Sequence, residues 1–195
     1  MKFIAHRINT IKDIKKIPKK YGLEVDLRDN GDRLILQHEP FKSGQDFEEY
    51  LKHFGHGTII LNIKSEGIEF RILDLLKKYK IRDYFFLDSS FPMINRLSKQ
   101  GEKNIALRFS EFEGLDTIMN MKDNVKWVWV DCFSKYPLEN STYELIKNSG
   151  LKLCIVSPDL VGREEEIYNY KQFLFESNIN YDAICTKYKN IKHWK

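Results

Sequence analysis

The sequence predicts an α/β fold: a (β/α)8 TIM barrel forming a single compact domain over residues 1–195. Three observations predict it. Short apolar runs rich in β-formers recur eight times along the chain. A stretch of helical periodicity follows nearly every run. No Pro/Gly/Ser-rich linker or low-complexity segment breaks the rhythm. Strands alternating with helices argue for a parallel sheet, and eight such units close it. An open doubly wound sheet is the structural alternative. It is disfavoured because no G-x-G-x-x-G loop follows the first strand.

The elements run as follows. Phe3–His6 is the first strand, and Thr10 with Asp13 opens a short helix carrying Ile11, Ile14 and Ile17. Leu23–Leu27 is the second strand. Asn30-Gly31 then turns the chain into a hairpin that returns through Arg33 to His38. Ser43 with Asp46 repeats the capping signal before Phe47, Leu51 and Phe54, and Gly55 closes that helix. Thr58–Ile63 is the third strand, followed by a helix over Ile68–Tyr79 with Ile72, Leu75, Leu76 and Tyr79 on one face. Tyr84–Asp88 precedes a helix that Pro92 opens and that runs through Leu97. Asn104–Phe109, Trp127–Asp131, Leu151–Val156 and Ala183–Thr186 are the last four strands. Helices over Glu111–Met121, Leu138–Asn148 and Glu164–Glu176 separate them, and Gly150 stops the second of these.

Composition bounds the function. A hydrophobic share of 42% excludes a mostly disordered chain. No apolar run approaches the roughly 18 residues a membrane span needs. Phe3-Ile4-Ala5 is too short for a secretory leader before His6-Arg7 interrupts it. Cys132, Cys154 and Cys185 lie in apolar contexts, as buried thiols do in a reducing compartment. The expected location is therefore the cytoplasm. The net charge of +4 is spread along the chain, so no nucleic-acid partner is expected.

Three consecutive strands break the rule that parallel strands are apolar on both faces. The first ends in His6-Arg7. In the second, Glu24 and Asp26 share the face opposite Leu23, Val25 and Leu27. In the third, Asn62 and Lys64 share the face opposite Leu61 and Ile63. In a barrel that face points into the lumen, and active sites sit at the C-terminal strand ends. The hairpin returns His38 to the same neighbourhood. Arg108, Asp131 and Lys187 stand at later strand ends and are candidate substrate contacts. His53 and His56 flank Gly55 and read as a frayed helix end, and the paired lysines at 15–16 and 19–20 as a solvated face.

The series His6-Arg7, Glu24-x-Asp26 and His38 resembles the glycerophosphodiester phosphodiesterase family of the phospholipase-C-like phosphodiesterase superfamily. Ser89-Ser90-Phe91 is similar to that family's Ser-Phe after strand four. Asn62-Ile63-Lys64 stands where the family has Glu-x-Lys, so an amide replaces a carboxylate. Glu39-Pro40-Phe41-Lys42 leads almost directly into the next helix, without the family's usual insertion. The chain is thus similar to a minimal form of the family. The resemblance implies a TIM barrel and a phosphoric diester hydrolase that uses metal assistance in lipid metabolism.

The residue types give that chemistry roles. Glu24, Asp26 and Asn62 are the expected ligands of a divalent metal, Mg²⁺ or Ca²⁺. Glu39 or Glu66 would be the compensating carboxylate. Arg7 and Lys64 are the expected phosphate-binding cations, and His6 and His38 the general acid and base. The expected partner is a small-molecule or lipid-derived phosphodiester. Two alternatives stay open: a catalytically degenerate barrel that binds a phosphorylated ligand, and a metal-independent phosphodiester lyase.

Overall fold

The computed structural model describes all residues 1–195. Its strands are β1 (Lys2–Ala5), β2 (Gly22–Asn30), β3 (Arg33–Leu36), β4 (Gln45–Asp46), β5 (Ile59–Ile63), β6 (Tyr84–Leu87), β7 (Ala106–Phe109), β8 (Trp127–Val130), β9 (Lys152–Val156) and β10 (Ala183–Thr186). Its helices are α1 (Ile11–Ile14), α2 (Phe47–Leu51), α3 (Glu69–Lys78), α4 (Phe91–Lys99), α5 (Asp116–Met121), α6 (Asn140–Asn148), α7 (Ile167–Glu176) and α8 (Ile191–Trp194). Parallel pairing runs from β6 through β5, β2, β1, β10, β9 and β8 to β7. One bridge, Phe86 to Ile105, joins β6 to β7 and closes the ring. The eight expected strands are therefore the eight staves of a (β/α)8 barrel. β3 and β4 are an antiparallel extension of β2.

Alternation along the strands divides the core in two. One apolar cluster lies between sheet and helices and takes Leu23, Val25 and Leu27 from β2. The other fills the lumen with Ile4, Ile60, Phe85, Leu87, Trp127, Trp129 and their neighbours. Phe85 and Trp127 stack there, with ring centroids 4.5 Å apart. These large rings plug the barrel, as layered lumen side chains do in this fold. Glu24, Asp26 and Asn62, all buried, take the lumen positions toward the C-terminal ends of their strands.

Several element boundaries differ from expectation. The hairpin turns at Gly31-Asp32, one residue later than Asn-Gly, because Asn30 still pairs with Arg33 and Gly31 takes the left-handed φ of 59°. Ser43 does not cap α2. Asp46 does, accepting from Glu49 N at 2.9 Å, and α2 ends at Leu51 without a glycine cap at Gly55. α5 begins at Asp116, not Glu111, because Ser110 and Glu113 bond to each other through side chain (2.9 Å) and backbone and hold a turn. A 3-10 turn over Glu164–Glu166 precedes α7. α8, not anticipated, buries Trp194, whose indole N–H donates to Ser157 Oγ at 3.0 Å. The three cysteines are free and buried, as expected. No helix is long and apolar enough to cross a membrane.

Gly22 lets the start of β2 pack closely against β1 and the residue before β5. A Cβ there would press on Ile4 Cδ1 and lie 2.6 Å from the Thr58 carbonyl oxygen. Backbone cannot yield as a flexible side chain does. Gly22→Ala is expected to destabilise the fold by about 1–3 kcal/mol in urea unfolding. Gly114→Ala, whose Cβ meets nothing within 4 Å, is expected to stay within about 0.5 kcal/mol.

Candidate active site at the barrel mouth

β1 delivers His6 and Arg7. Strand alternation sends His6 to the lumen and would send Arg7 to the helix layer. Arg7 instead adopts φ 53°, a left-handed conformation that costs a non-glycine residue free energy. The turn aims its backbone N–H at Glu24 Oε2 (2.8 Å) and its Nε to 3.7 Å from Asp26 Oδ2. His6 Nε2 lies 3.6 Å from the same Glu24 oxygen.

β2 delivers two fully buried carboxylates. Glu24 Oε1 accepts from Asn62 Nδ2 at 2.9 Å. Asn9 grips Asp26 twice: its Nδ2 donates to Oδ2 at 2.8 Å, and its Oδ1 accepts from the Asp26 N–H at 2.9 Å. Lys64 Nζ stands 3.9 Å from Asp26 Oδ1. Asp26 Oδ1 and Asn62 Oδ1 remain buried without a hydrogen bond.

The field at this place is unusual. Burial, and then the neighbouring Asp26, raise the Glu24 pKa. Burial, and then Arg7, His38, Lys64 and Lys187, push His6 down to about 3. Both shifts favour the uncharged forms of this close pair, 3.6 Å apart.

The hairpin brings in His38, and one arginine fixes it. Arg28 donates to the His38 carbonyl through Nε (3.1 Å) and Nη2 (2.9 Å), and to the Lys64 carbonyl through Nη1 (2.8 Å). The ends of β3 and β5 are thereby tied together. His38 Nδ1 is 2.7 Å from Glu39 Oε1.

Across the mouth runs a ladder of alternating charge. Lys64 Nζ donates to Asp88 Oδ2 at 3.2 Å. Asp88 has φ 61°, which turns a side chain expected to face outward back to the mouth. It accepts a two-pronged contact from Arg108, at 2.6 and 2.9 Å. Arg108 Nη1 also donates to Asp131, whose other oxygen accepts from Trp129 Nε1 at 3.1 Å. One guanidinium thus serves two carboxylates. Burial works against ionisation of both. Arg108 and Lys64 outweigh it at Asp88, whose pKa is lowered. At Asp131 burial outweighs Arg108 and Trp129 and pushes the carboxyl up to about 6.

The structure brings His6, Arg7, Glu24, Asp26, His38, Asn62 and Lys64 to one mouth, and the ladder joins Arg108 and Asp131 to them. Lys187 follows β10 and contributes to the field at His6. Glu39 Oε1 contacts His38 Nδ1, and Glu66 Oε1 accepts from Ser90 Oγ at 2.6 Å. His56 Nε2 bonds to the Ile17 carbonyl at 2.8 Å, in keeping with a structural role. No three His, Cys, Asp or Glu side chains converge as a ready metal site. Sequence reasoning missed Asn9, Arg28 and Asp88. Asp88 carried a signal, an acidic residue ending its strand just as Asp131 follows β8, and Arg28 continues the strand face of Glu24 and Asp26.

No protein-family model and no curated protein matches this sequence. Solved structures do. A glycerophosphodiester phosphodiesterase from Agrobacterium tumefaciens str. C58 superposes with a TM-score of 0.66 at 14% identity, covering 95% of this chain and 96% of that one. A second protein from the same strain, assigned as a glycerophosphoryl diester phosphodiesterase, gives a TM-score of 0.68 at 10% identity, over 95% and 93% of the two chains. This chain has their fold. The likeness spans nearly the whole barrel, not one βα unit.

Asp131 offers a measurable consequence. Its folded pKa of about 6 exceeds the ordinary 3.8, so its contribution to stability is full below pH 3.8 and lost as pH rises through 6. The unfolding free energy of the wild type relative to Asp131→Asn is therefore expected to fall between pH 4 and pH 7. A difference independent of pH over that range would refute the assignment.

Proposed function

We propose that this protein cleaves small phosphodiesters at the barrel mouth, with a divalent cation assisting and two histidines moving protons. One observation carries the reading. Two buried carboxylates, a buried amide, a histidine and a lysine share one polar layer, and two of its oxygens, Asp26 Oδ1 and Asn62 Oδ1, accept no hydrogen bond.

Hard oxygens of this kind suit Mg²⁺ or Ca²⁺, and Glu24, Asp26 and Asn62 would hold the ion. When bound, such an ion supplies positive charge to a phosphate oxygen. The chain's own residues do the rest. Arg7, half exposed at the rim, offers a fork to phosphate oxygens, and Lys64 a point charge. His6 faces the carboxylate pair from the end of β1 and is placed to take a proton from the attacking oxygen. Glu39 fixes His38 Nδ1, which leaves Nε2 to hand a proton to the leaving alkoxide. The substrate is a small-molecule or lipid-derived diester handled in the cytoplasm, and the similar solved structures carry the glycerophosphodiester activity in their names. The second reading is a metal-independent lyase. It is favoured by the neutral Asn62 in the cradle and by the two cations Arg7 and Lys64 beside it.

A panel of phosphodiesters, turned over with and without chelator, tests this. Activity is expected to vanish with chelator and return with Mg²⁺ or Ca²⁺. His6→Ala and His38→Ala are each expected to lower kcat by about 10²–10⁴-fold. Activity indifferent to chelator would favour the lyase. No cleavage of any diester, with phosphate still bound by His6→Ala, would leave a binding protein. In calorimetry, Asn62→Glu is expected to tighten divalent-ion binding, and unchanged affinity would remove Asn62 from the cradle.

A further inference from the structure

The barrel wall is open beside this site. β6 and β7 share one bridge, supported by Phe86 N donating to the Asn104 carbonyl at 2.8 Å. Beyond it, toward the mouth, the two strands make no further ladder. A cavity of about 500 Å³ occupies the gap, with Asp88, Ser89, Phe91, Arg108, Glu113 and Thr117 in its wall. That is the size of a small-molecule pocket, about 300–1,000 Å³.

Its lining is chemically mixed. Asp88 and Arg108 face each other as a fixed acceptor and a fixed donor, 2.6 and 2.9 Å apart. Ser89 Oγ is buried without a partner. Phe91 presents a half-exposed ring. Asp88 also touches Lys64, at 3.2 Å, on the side of the carboxylate pair. One carboxylate thus borders both the proposed phosphate site and the cavity.

We propose that this cavity binds the alcohol portion of the phosphodiester, and that this alcohol is polyhydroxylated, a sugar or sugar alcohol. The proposal rests on the phosphodiesterase reading above. Hydroxyl groups both donate and accept. They can give to Asp88, receive from Arg108 and satisfy Ser89 without charge. The Phe91 ring covers the C–H face of such a ligand. An ammonium alcohol such as choline fits less well, because Phe91 is the one ring in the wall and makes no aromatic cage. Asp88 is held in its left-handed conformation at the junction of the two regions, where strained residues often serve ligands.

The test compares three substrates on the wild-type protein: a hexose methyl phosphodiester, a choline methyl phosphodiester and bis(4-nitrophenyl) phosphate. The hexose ester is expected to exceed the choline ester in kcat/KM by about tenfold or more, some 1.4 kcal/mol. Ser89→Ala and Arg108→Lys are each expected to lower the ratio of hexose to nitrophenyl turnover by about threefold or more. A parallel loss on both substrates would mean that the pair only staples the seam, and would overturn the proposal. So would equal turnover of the hexose and choline esters. Calorimetry with hexose 6-phosphate and choline phosphate separates this inference from the catalytic one. If no diester is cleaved but hexose 6-phosphate binds the more tightly, the catalytic reading fails and the subsite stands. If diesters are cleaved and the two phosphates bind alike, the subsite fails alone.

Discussion

Two carboxylates on adjacent lumen positions of one strand govern the architecture of the mouth. Glu24 and Asp26 are both fully buried, and a buried charge costs several kcal/mol unless it is paired or hydrogen-bonded. Donors must therefore converge on them from other elements. The segment after β1 does this twice, through the Arg7 N–H and the Asn9 side chain. Two further bonds hold that segment in place: Ile8 N to the Glu24 carbonyl at 2.9 Å, and Tyr50 Oη to the Ile8 carbonyl at 2.8 Å. The left-handed Arg7 is thus set by what its N–H must reach. Strain at one residue is offset by satisfaction of a buried acid.

What could be read from the sequence follows from the same physics. Strand parity is strict, so a polar residue on the lumen face announces itself against an apolar run. Glu24, Asp26, Asn62, Lys64 and Arg108 are all legible this way, and the eight strands with them. His38 was legible because a glycine turn folds the chain back, although the turn sits one residue later than the Asn-Gly pair suggests. Asn9 and Asp88 follow no parity, and Arg28 shares the face of Glu24 and Asp26 but lies beyond the staves. Asn9 lies in a loop, Arg28 on the part of β2 that extends past the barrel, and Asp88 has its side chain redirected by a positive φ. Helix starts were misplaced where a side chain bonded to its own turn, as at Ser110 and Glu113.

The likeness in fold at 10–14% identity has a related cause. A barrel lumen and its helix layer need apolar volume at the right period, and many sequences supply it. The polar layer at the mouth is far less permissive, since each of its members is placed by a partner on another strand. The neutral Asn62 sets the charge of the layer without disturbing the staves.

The sparse joint between β6 and β7 also divides the chain. The strands before it form one four-stave half, β1, β2, β5 and β6, and those after it form another, β7 to β10. Four register pairs between β1 and β10 join the halves on one side, against a single bridge on the other. Cooperative unfolding units tend to follow such boundaries, and opening starts where fewest backbone bonds must break. At this joint the Asp88–Arg108 fork adds side-chain bonds between the halves where the backbone supplies least.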